Sequence, residues 1–180
     1  MAFIRIKRIS GSEYGYLVAN SWTSAGPRQK VAKYLGKVLR PQKARTGSLA
    51  AFLGLPSDEA VHQWVGTSSF TEIAAALMAW ELGNHELDAS HTIAAEKAEF
   101  LDGKGRPLVL AVNDGFLCSH TARQLLDYDA GADYSGYNLA DALTAAGIAV
   151  DKNVFISLYG KLQATVKQEH QIDAAKDFYY

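Results

Sequence analysis

Cys118 and His120 stand one residue apart where we expect a helix to begin, and His85 and His91 lie upstream. Cysteine and histidine bind zinc, but Cys-x-His is not a paired spacing of tetrahedral sites, and the chain has no second cysteine. The same two side chains suit a thiol nucleophile with its base, because a helix N-terminus favours the thiolate. We interpret Cys118 as a small buried apolar residue and expect neither a metal nor a cofactor.

The loop from Asp127 to Asp133 spaces acids two and four residues apart, as calcium loops do. An EF-hand needs an oxygen ligand, glycine and glutamate at its fifth, sixth and twelfth positions, where this chain has Gly131, Ala132 and Asn138. We therefore expect a solvated loop with Asx turns. No Walker, G-x-G-x-x-G or G-x-S-x-G motif occurs, so nucleotide-dependent and hydrolase functions have no motif behind them.

The strongest signal is the distribution of charge. Residues 1–45 carry ten Lys/Arg against one acid, Glu13, for a net charge of +9, while the remaining residues carry −10 and the whole chain −1. Such asymmetry points to a polyanionic partner for the basic part, most commonly nucleic acid. The ten predicted nucleic-acid-binding cations are Arg5, Lys7, Arg8, Arg28, Lys30, Lys33, Lys37, Arg40, Lys43 and Arg45.

Short strands must present these cations. Residues 3–9 and 14–22 read as a hairpin with a turn at 10–12, and strand alternation puts Arg5 and Lys7 on the side opposite Ile4 and Ile6. The run 28–39 is compatible with a strand, a short helix, or one passing into the other. A small basic sheet can lie along a phosphate backbone or enter a groove. We add Tyr16 and Trp22 to the predicted site, since the interleaved aromatics, which also include Tyr14 and Tyr34, either stack on unpaired bases or fill a small core.

The first 40 residues also carry a family resemblance. The runs 3–8, 13–18, 27–31 and 34–36 (FIRIKR, EYGYLV, PRQKV and YLG) resemble the β-rich N-terminal segment of certain insertion-sequence transposases, and they are similar to the start of small uncharacterised archaeal proteins. The resemblance implies a DNA-contacting accessory module. It does not imply transposition, because the rest of the chain is short for such a catalytic domain and shows no pattern of three separated carboxylates.

The rest of the chain predicts a polar linker at 41–48 and then helices. We expect a helix capped by Ser48 through residue 52, one from 57 to about 65 that Gly66 ends, and one capped by Ser69 and Glu72 with Gly83 beyond its end. In the helix capped by Ser69, apolar residues recur at spacings of three and four, which indicates that one face of this helix is buried.

Two antiparallel strands, 92–100 and 107–112, should follow, joined by a turn at 101–106, with the second strand in the interior of a sheet. After a turn at 113–115, we expect three helices. The first is capped by Ser119, the second begins at Asn138 and ends at Gly147, and the third begins at Asp151. The apolar last three residues, 178–180, either fray or dock on the core or on a partner.

The predicted fold class is α+β: an antiparallel β-module at 1–40, a linker at 41–48, and an acidic, mainly helical domain with a β-hairpin at 49–180. The predicted function is non-catalytic nucleic-acid binding, with double-stranded DNA preferred and structured or ribosomal RNA second. Alternatives are a small enzyme centred on 113–120, and a protein-interaction module or self-association through the acidic domain. With no membrane-spanning run and one cysteine, we expect a cytoplasmic protein.

Overall fold

The computed structural model describes residues 2–24, 26–129 and 135–176, with side chains up to residue 165. Its strands are β1 (Ala2–Ile9), β2 (Ser12–Thr23), β3 (Gly26–Leu39), β4 (Thr92–Ala94), β5 (Glu99–Leu101), β6 (Leu108–Val112) and β7 (Gly115–Cys118). Its helices are α1 (Leu49–Leu53), α2 (Asp58–Thr67), α3 (Phe70–Gly83), α4 (Ser119–Leu126), α5 (Gly136–Ala146) and α6 (Lys152–Lys176), and a 3-10 turn spans Ala95–Lys97. Within these ranges, every helix is too short or too polar to cross a bilayer.

The predicted N-terminal hairpin is confirmed. β1 and β2 pair antiparallel from Ile9 opposite Ser12 to Ala2 opposite Ala19. Ser10 and Gly11 between them have φ of 49° and 80°, the left-handed pair that matches a two-residue turn to the twist of the strands. Residues 28–39, which the sequence assigned to neither strand nor helix, belong to a strand, β3. This strand pairs antiparallel with β2 along most of its length.

A five-stranded sheet in the order β1-β2-β3-β6-β7 forms the centre of the fold. β6 is an interior strand, as predicted, because β3 pairs parallel on one side of it and β7 antiparallel on the other. The chain is α+β, with strands from both the basic and the acidic parts in one sheet. The domain boundaries at 40 and 48 remain predictions, but the sheet is continuous across them.

The two faces of this sheet build two cores. The larger core joins helical residues to one face of β6 and β7, and β3 contributes only Leu39 to it among the described residues. The smaller core contains strand residues alone: Leu35, Val38, Val109 and Cys118, with Ile4, Ile6, Leu17, Ala111 and Phe116 packed against them. Since no helical residue of the described ranges enters this second core, the sheet curls so that β1 and β2 approach β6 and β7.

Several predicted helix ends are confirmed. Ser48, Ser57 and Ser69 cap α1, α2 and α3, and Ser69 forms the predicted capping box with Glu72. The predicted stop at Gly66 is wrong, because α2 continues through this glycine to Thr67. Gly83 is the last residue of α3 rather than the residue beyond it.

Helices later in the chain begin near the predicted positions. The α5 helix begins at Gly136 with Ser135 as its cap, two residues before the predicted Asn138, and Gly147 terminates it as predicted. The carboxylate of Asp151 accepts hydrogen bonds from the backbone N–H groups of Asn153 and Val154, at 2.7 and 3.0 Å, at the start of α6.

The predicted pairing of strands 92–100 and 107–112 is reduced to an isolated antiparallel bridge between Leu101 and Pro107, beside which the backbone N–H of Asp102 donates to the carbonyl oxygen of Arg106 at 2.8 Å. β4 and β5 form a separate two-stranded hairpin, because the chain turns at Ala95–Lys97 and Ala98 takes a positive φ of 51°. β6 instead joins the main sheet, where Val109 pairs with Val38. The turn at 113–115 is confirmed, but it leads into β7, which the sequence did not predict, before α4 begins.

Candidate nucleic-acid interface

Register assigns the side chains of β1, β2 and β3 to two faces, because directly opposite residues in antiparallel strands share a face. Arg5 lies opposite Tyr16, which lies opposite Tyr34. Ile4 lies opposite Leu17, which lies opposite Lys33, on the other face. We name the first the tyrosine face; it includes the buried Val18 and, around it, Phe3, Arg5, Lys7, Ile9, Tyr14, Tyr16, Trp22, Val31, Tyr34 and Lys37. We name the second the lysine face; its cations are Arg8, Arg28, Lys30 and Lys33.

Three tyrosines form a cluster on the tyrosine face. The ring centroid of Tyr34 lies 5.4 Å from that of Tyr16 and 6.4 Å from that of Tyr14, at tilted angles. The ammonium group of Lys7 lies 5.2 Å from the centroid of Tyr16, within cation–π range. Burial, followed by the neighbouring phenols of Tyr16 and Tyr14, raises the pKa of the Tyr34 phenol. The three rings therefore form one cluster around Tyr34.

Exposed apolar residues concentrate on the same face. The large apolar residues of the described N-terminal strands that stand in solvent are Phe3, Ile9, Trp22, Val31 and Tyr34, and register places all five on the tyrosine face. Trp22 is 84% exposed and Tyr34 42% exposed. These exposed apolar side chains share one sheet face with cations, and we treat that face as a candidate interaction surface.

The lysine face carries cations without aromatic residues. Its four cations are exposed, and none has an ion-pair partner among the described residues. Lys33 lies close enough to α4 for its charge to act on His120. Burial, followed by this charge, lowers the pKa of the His120 imidazole.

Both faces continue onto a projecting ribbon. β1 pairs with β2 only as far as Ala19, so residues 20–23 of β2 and 26–29 of β3 pair with each other alone. The four residue pairs of this ribbon extend roughly 13 Å beyond β1. Its residues are exposed apart from half-buried Gly26, and it presents Arg28 on one face and Trp22 on the other.

Three predicted cations are engaged within the molecule instead. Arg40 pairs with Glu13 at 2.9 Å, and Arg45 donates from Nε to the carbonyl oxygen of Gly83 at 2.8 Å. Lys43 lies 3.5 Å from the carboxylate of Glu81. These contacts lie in or beside the predicted linker, and the part of Arg40, Lys43 and Arg45 in a nucleic-acid interface stays a prediction.

Lys43 belongs to a buried polar cluster that fixes the linker. It donates to Oδ1 of Asn113 at 3.1 Å, and the buried Glu81 also faces the His85 ring at 3.5 Å. Asn84 accepts hydrogen bonds from the backbone N–H groups of residues 44, 45 and 47. Segment 41–48 is therefore hydrogen-bonded to the end of α3 and to the turn between β6 and β7.

A cleft of about 1030 Å³ opens between the base of the N-terminal strands and helices α4 and α5. Lys33, His120, Arg123 and Asp114 are among the residues that line it. Cys118 is fully buried in the second core and does not line the cleft. An enzyme centred on 113–120 therefore lacks an accessible thiol, although the cleft itself stays available to that hypothesis.

The described residues contain no group of three or more histidine, cysteine or carboxylate side chains that could hold a metal ion. Cys118, His120, His85 and His91 therefore form no such group. The predicted loop at 127–133 lies partly outside the described residues, and the tail at 178–180 wholly so.

The predicted site residues thus fall on two faces of the sheet, and further residues share one of these faces. Seven of the ten predicted cations lie on two opposite faces, and Tyr16 and Trp22 share the tyrosine face with Arg5, Lys7 and Lys37. Phe3 and Val31 were not predicted as site residues, and neither was the aromatic partner Tyr34. The i, i+2 spacing of Tyr14 and Tyr16 was the available signal that one strand face is aromatic.

Comparisons with protein-family models, with curated proteins and with solved structures find no match to this chain. The resemblance of residues 1–40 to insertion-sequence transposases consequently stays a prediction from sequence.

Proposed function

We propose that this protein binds nucleic acid without catalysing a reaction on it, by contacting the phosphate backbone through its N-terminal strands. The observation that carries the proposal is the set of exposed cations on β1 and β3 that have no ion-pair partner among the described residues: Arg5, Lys7, Arg8, Arg28, Lys30, Lys33 and Lys37. Each cation that neutralises a phosphate releases counterions, so the affinity depends on salt.

The shape of the ribbon favours double-stranded DNA as the first candidate. The major groove of B-DNA is about 12 Å wide and admits a two-stranded β-ribbon. Residues 20–23 and 26–29 form such a ribbon, exposed apart from Gly26, with Lys30 at its base and Arg28 in the second residue pair from the base. The acidic helical body would face away from the phosphates, because like charges repel.

Structured RNA is the second candidate, and the exposed aromatic residues of the tyrosine face favour it. Proteins recognise RNA mostly at loops and bulges, where unstacked bases meet aromatic side chains. The cations alone do not distinguish the two backbones. Direct competition between a DNA duplex and an RNA stem-loop of equal charge separates the candidates.

Salt titration tests the proposal. We expect Arg28→Gln, Lys30→Gln and Lys33→Gln together to weaken duplex binding and to reduce the slope of log K against log salt by roughly one unit for each phosphate that is no longer neutralised. Fluorescence anisotropy with a labelled duplex measures both quantities.

The matched control variant removes the same charge elsewhere. Lys97, Lys104 and Lys152 are exposed lysines of the acidic part, and their replacement by Gln should leave the slope unchanged. Equal effects of the two triple variants would mean that general charge, and not the N-terminal strands, governs binding. An unchanged slope in the first variant would contradict the proposal.

A further inference from the structure

We infer that the tyrosine face binds unpaired bases, so that the nucleic-acid ligand carries a single-stranded segment beside its duplex. This inference rests on the proposed function and names the class of nucleic acid that the same strands recognise. The duplex phosphates would lie on the lysine face and the ribbon, and the unpaired bases on the opposite face.

The first support is that this sheet face is open. The helices pack on the same side of the sheet only at β6, β7 and Leu39, and among the described residues none of β1 or β2 enters that core. The opposite side of the same strands carries Ile4, Ile6 and Leu17 into the second core. Packing against the body therefore accounts for the apolar residues of one face, whereas on the other face Val18 is buried and Phe3, Ile9, Trp22, Val31 and Tyr34 stay exposed.

The second support is the chemistry of the open face. Base stacking requires aromatic rings that solvent can reach, and Tyr34 and Trp22 meet this requirement at 42% and 84% exposure. Tyr16 and Tyr14 support Tyr34 from the side, with centroids within 6.4 Å. Such a pre-positioned cluster loses little conformational freedom when a base stacks on it.

The third support is the charge of the open face. Arg5, Lys7 and Lys37 share it by register, and no acidic residue of β1, β2 or β3 does, since Glu13 lies opposite Arg8. The carboxylate of Asp102 also acts on Tyr34, but it is paired with Arg106 at 2.6 Å. Binding of single strands combines aromatic platforms for the bases with cations that follow the backbone. A second protein chain needs no such surplus of positive charge, so charge complementarity selects the polyanion.

The test compares probes that differ only in their bases. Three labelled ligands share one duplex: the first is blunt, the second has a single-stranded extension of thymidines, and the third has an abasic extension of equal length. We expect the full chain to bind the thymidine extension about tenfold more tightly than the abasic one, because stacking on aromatic side chains contributes on that scale per base. A uridine extension on the same duplex shows whether the face prefers RNA.

Paired variants identify the rings. Tyr16→Leu with Tyr34→Leu should abolish the preference for the thymidine extension and leave blunt-duplex affinity unchanged. Tyr16→Phe with Tyr34→Phe keeps both rings and should keep the preference. Loss of the preference in the Phe pair would overturn stacking, because only hydroxyl groups were removed.

The outcomes separate the two proposals. Equal affinity of the wild-type chain for thymidine and abasic extensions overturns this inference and leaves duplex binding standing. Failure to bind any of the three probes overturns both. Because this comparison uses the unaltered protein, it decides the inference even if the Leu pair fails to fold. Altered self-association of the Leu pair, without any preference between extensions, would reassign the face to a second copy of the chain.

Discussion

Lys33 and His120 show how a single side chain links the basic strands to the helical body. They come from distant parts of the sequence, yet the charge of Lys33, after burial, lowers the pKa of the His120 imidazole from its ordinary 6.5. The imidazole thereby reports on the charge of the lysine face. His120 itself lines the cleft and does not belong to the lysine face.

We predict that Lys33→Gln raises the pKa of His120, while leaving it below 6.5 because burial is the larger cause. NMR titration of the histidine ring signals measures this change, and Lys97→Gln serves as the control. Saturation with duplex should act in the same direction, since phosphates offset the charge of Lys33. An unchanged His120 titration in the Lys33→Gln variant would contradict the influence of Lys33 on the imidazole.

The sign of the stability effect follows from the lowered pKa. Folding disfavours the protonated His120, so its contribution to stability is present above the unfolded-state pKa near 6.5. That contribution is lost as the pH falls through the lower folded-state value. Lys33→Gln should therefore reduce the loss of stability on mild acidification.

Among the secondary-structure elements, β3 joins the basic strands to the rest of the sheet. It pairs with β2 on one side and, through residues 37–39, with β6 on the other. Gly36 stands where this junction begins. Its φ is +136°, and a Cβ there would overlap the carbonyl group of Pro107.

We predict that Gly36→Ala destabilises the fold by about 2–4 kcal/mol, because it adds a backbone clash to an unfavourable φ. Urea unfolding measures the change. Gly66→Ala is the matched control: Gly66 is helical, a Cβ there meets nothing within 4 Å, and we expect a gain of roughly 0.5–1 kcal/mol. Similar stabilities for Gly36→Ala and the wild type would mean that the β3–β6 junction tolerates a shift.

How far the sequence predicts this architecture depends on the range of the interactions. The β1–β2 hairpin and the capped helices follow from alternation, turn residues and caps, all of which act over a few residues. The β3–β6 pairing joins residues 37–39 to 108–110, and no local pattern encodes such a parallel pairing. The expected stop at Gly66 is off by one residue, because α2 ends at Thr67 and helix ends are defined only to within a residue or two.

The sequence also does not predict how the cations divide between the two faces of the sheet, because this division depends on the pairing of β2 with β3. Simple alternation correctly separates Arg5 and Lys7 from Ile4 and Ile6 on β1. In β3, register shifts fall opposite Gly15/Tyr16 and Leu17/Val18, and each shift changes which residues share a face. The cations of β3 therefore could not be assigned to faces from their spacing.

At the scale of the whole molecule, the ribbon and the body have separate tasks. The residues of the ribbon contribute nothing to either core, and they pair mainly with one another. The elements that hold the fold together are the two cores and the buried polar cluster around Glu81. The proposed recognition surface and the residues that stabilise the fold thus lie in different parts of the chain.

We predict that shortening the ribbon leaves the fold intact. Replacing residues 20–29 by Asn-Gly joins Ala19 to Lys30, which already lie opposite each other, through a favoured two-residue turn. The free energy of unfolding should change by less than about 1 kcal/mol, while duplex affinity falls because Arg28 is removed. Thermal unfolding and anisotropy measure the two effects, and a variant that no longer unfolds cooperatively would show that the ribbon supports the core.

The position of β1 at the border of the sheet has a consequence for handling the protein. Within the described residues it pairs only with β2, so its outer backbone groups form a template for a foreign strand. We expect the cationic Arg5, Lys7 and Arg8 on this border strand to act as gatekeepers against aggregation. Neutralising them should therefore lower the solubility of the protein.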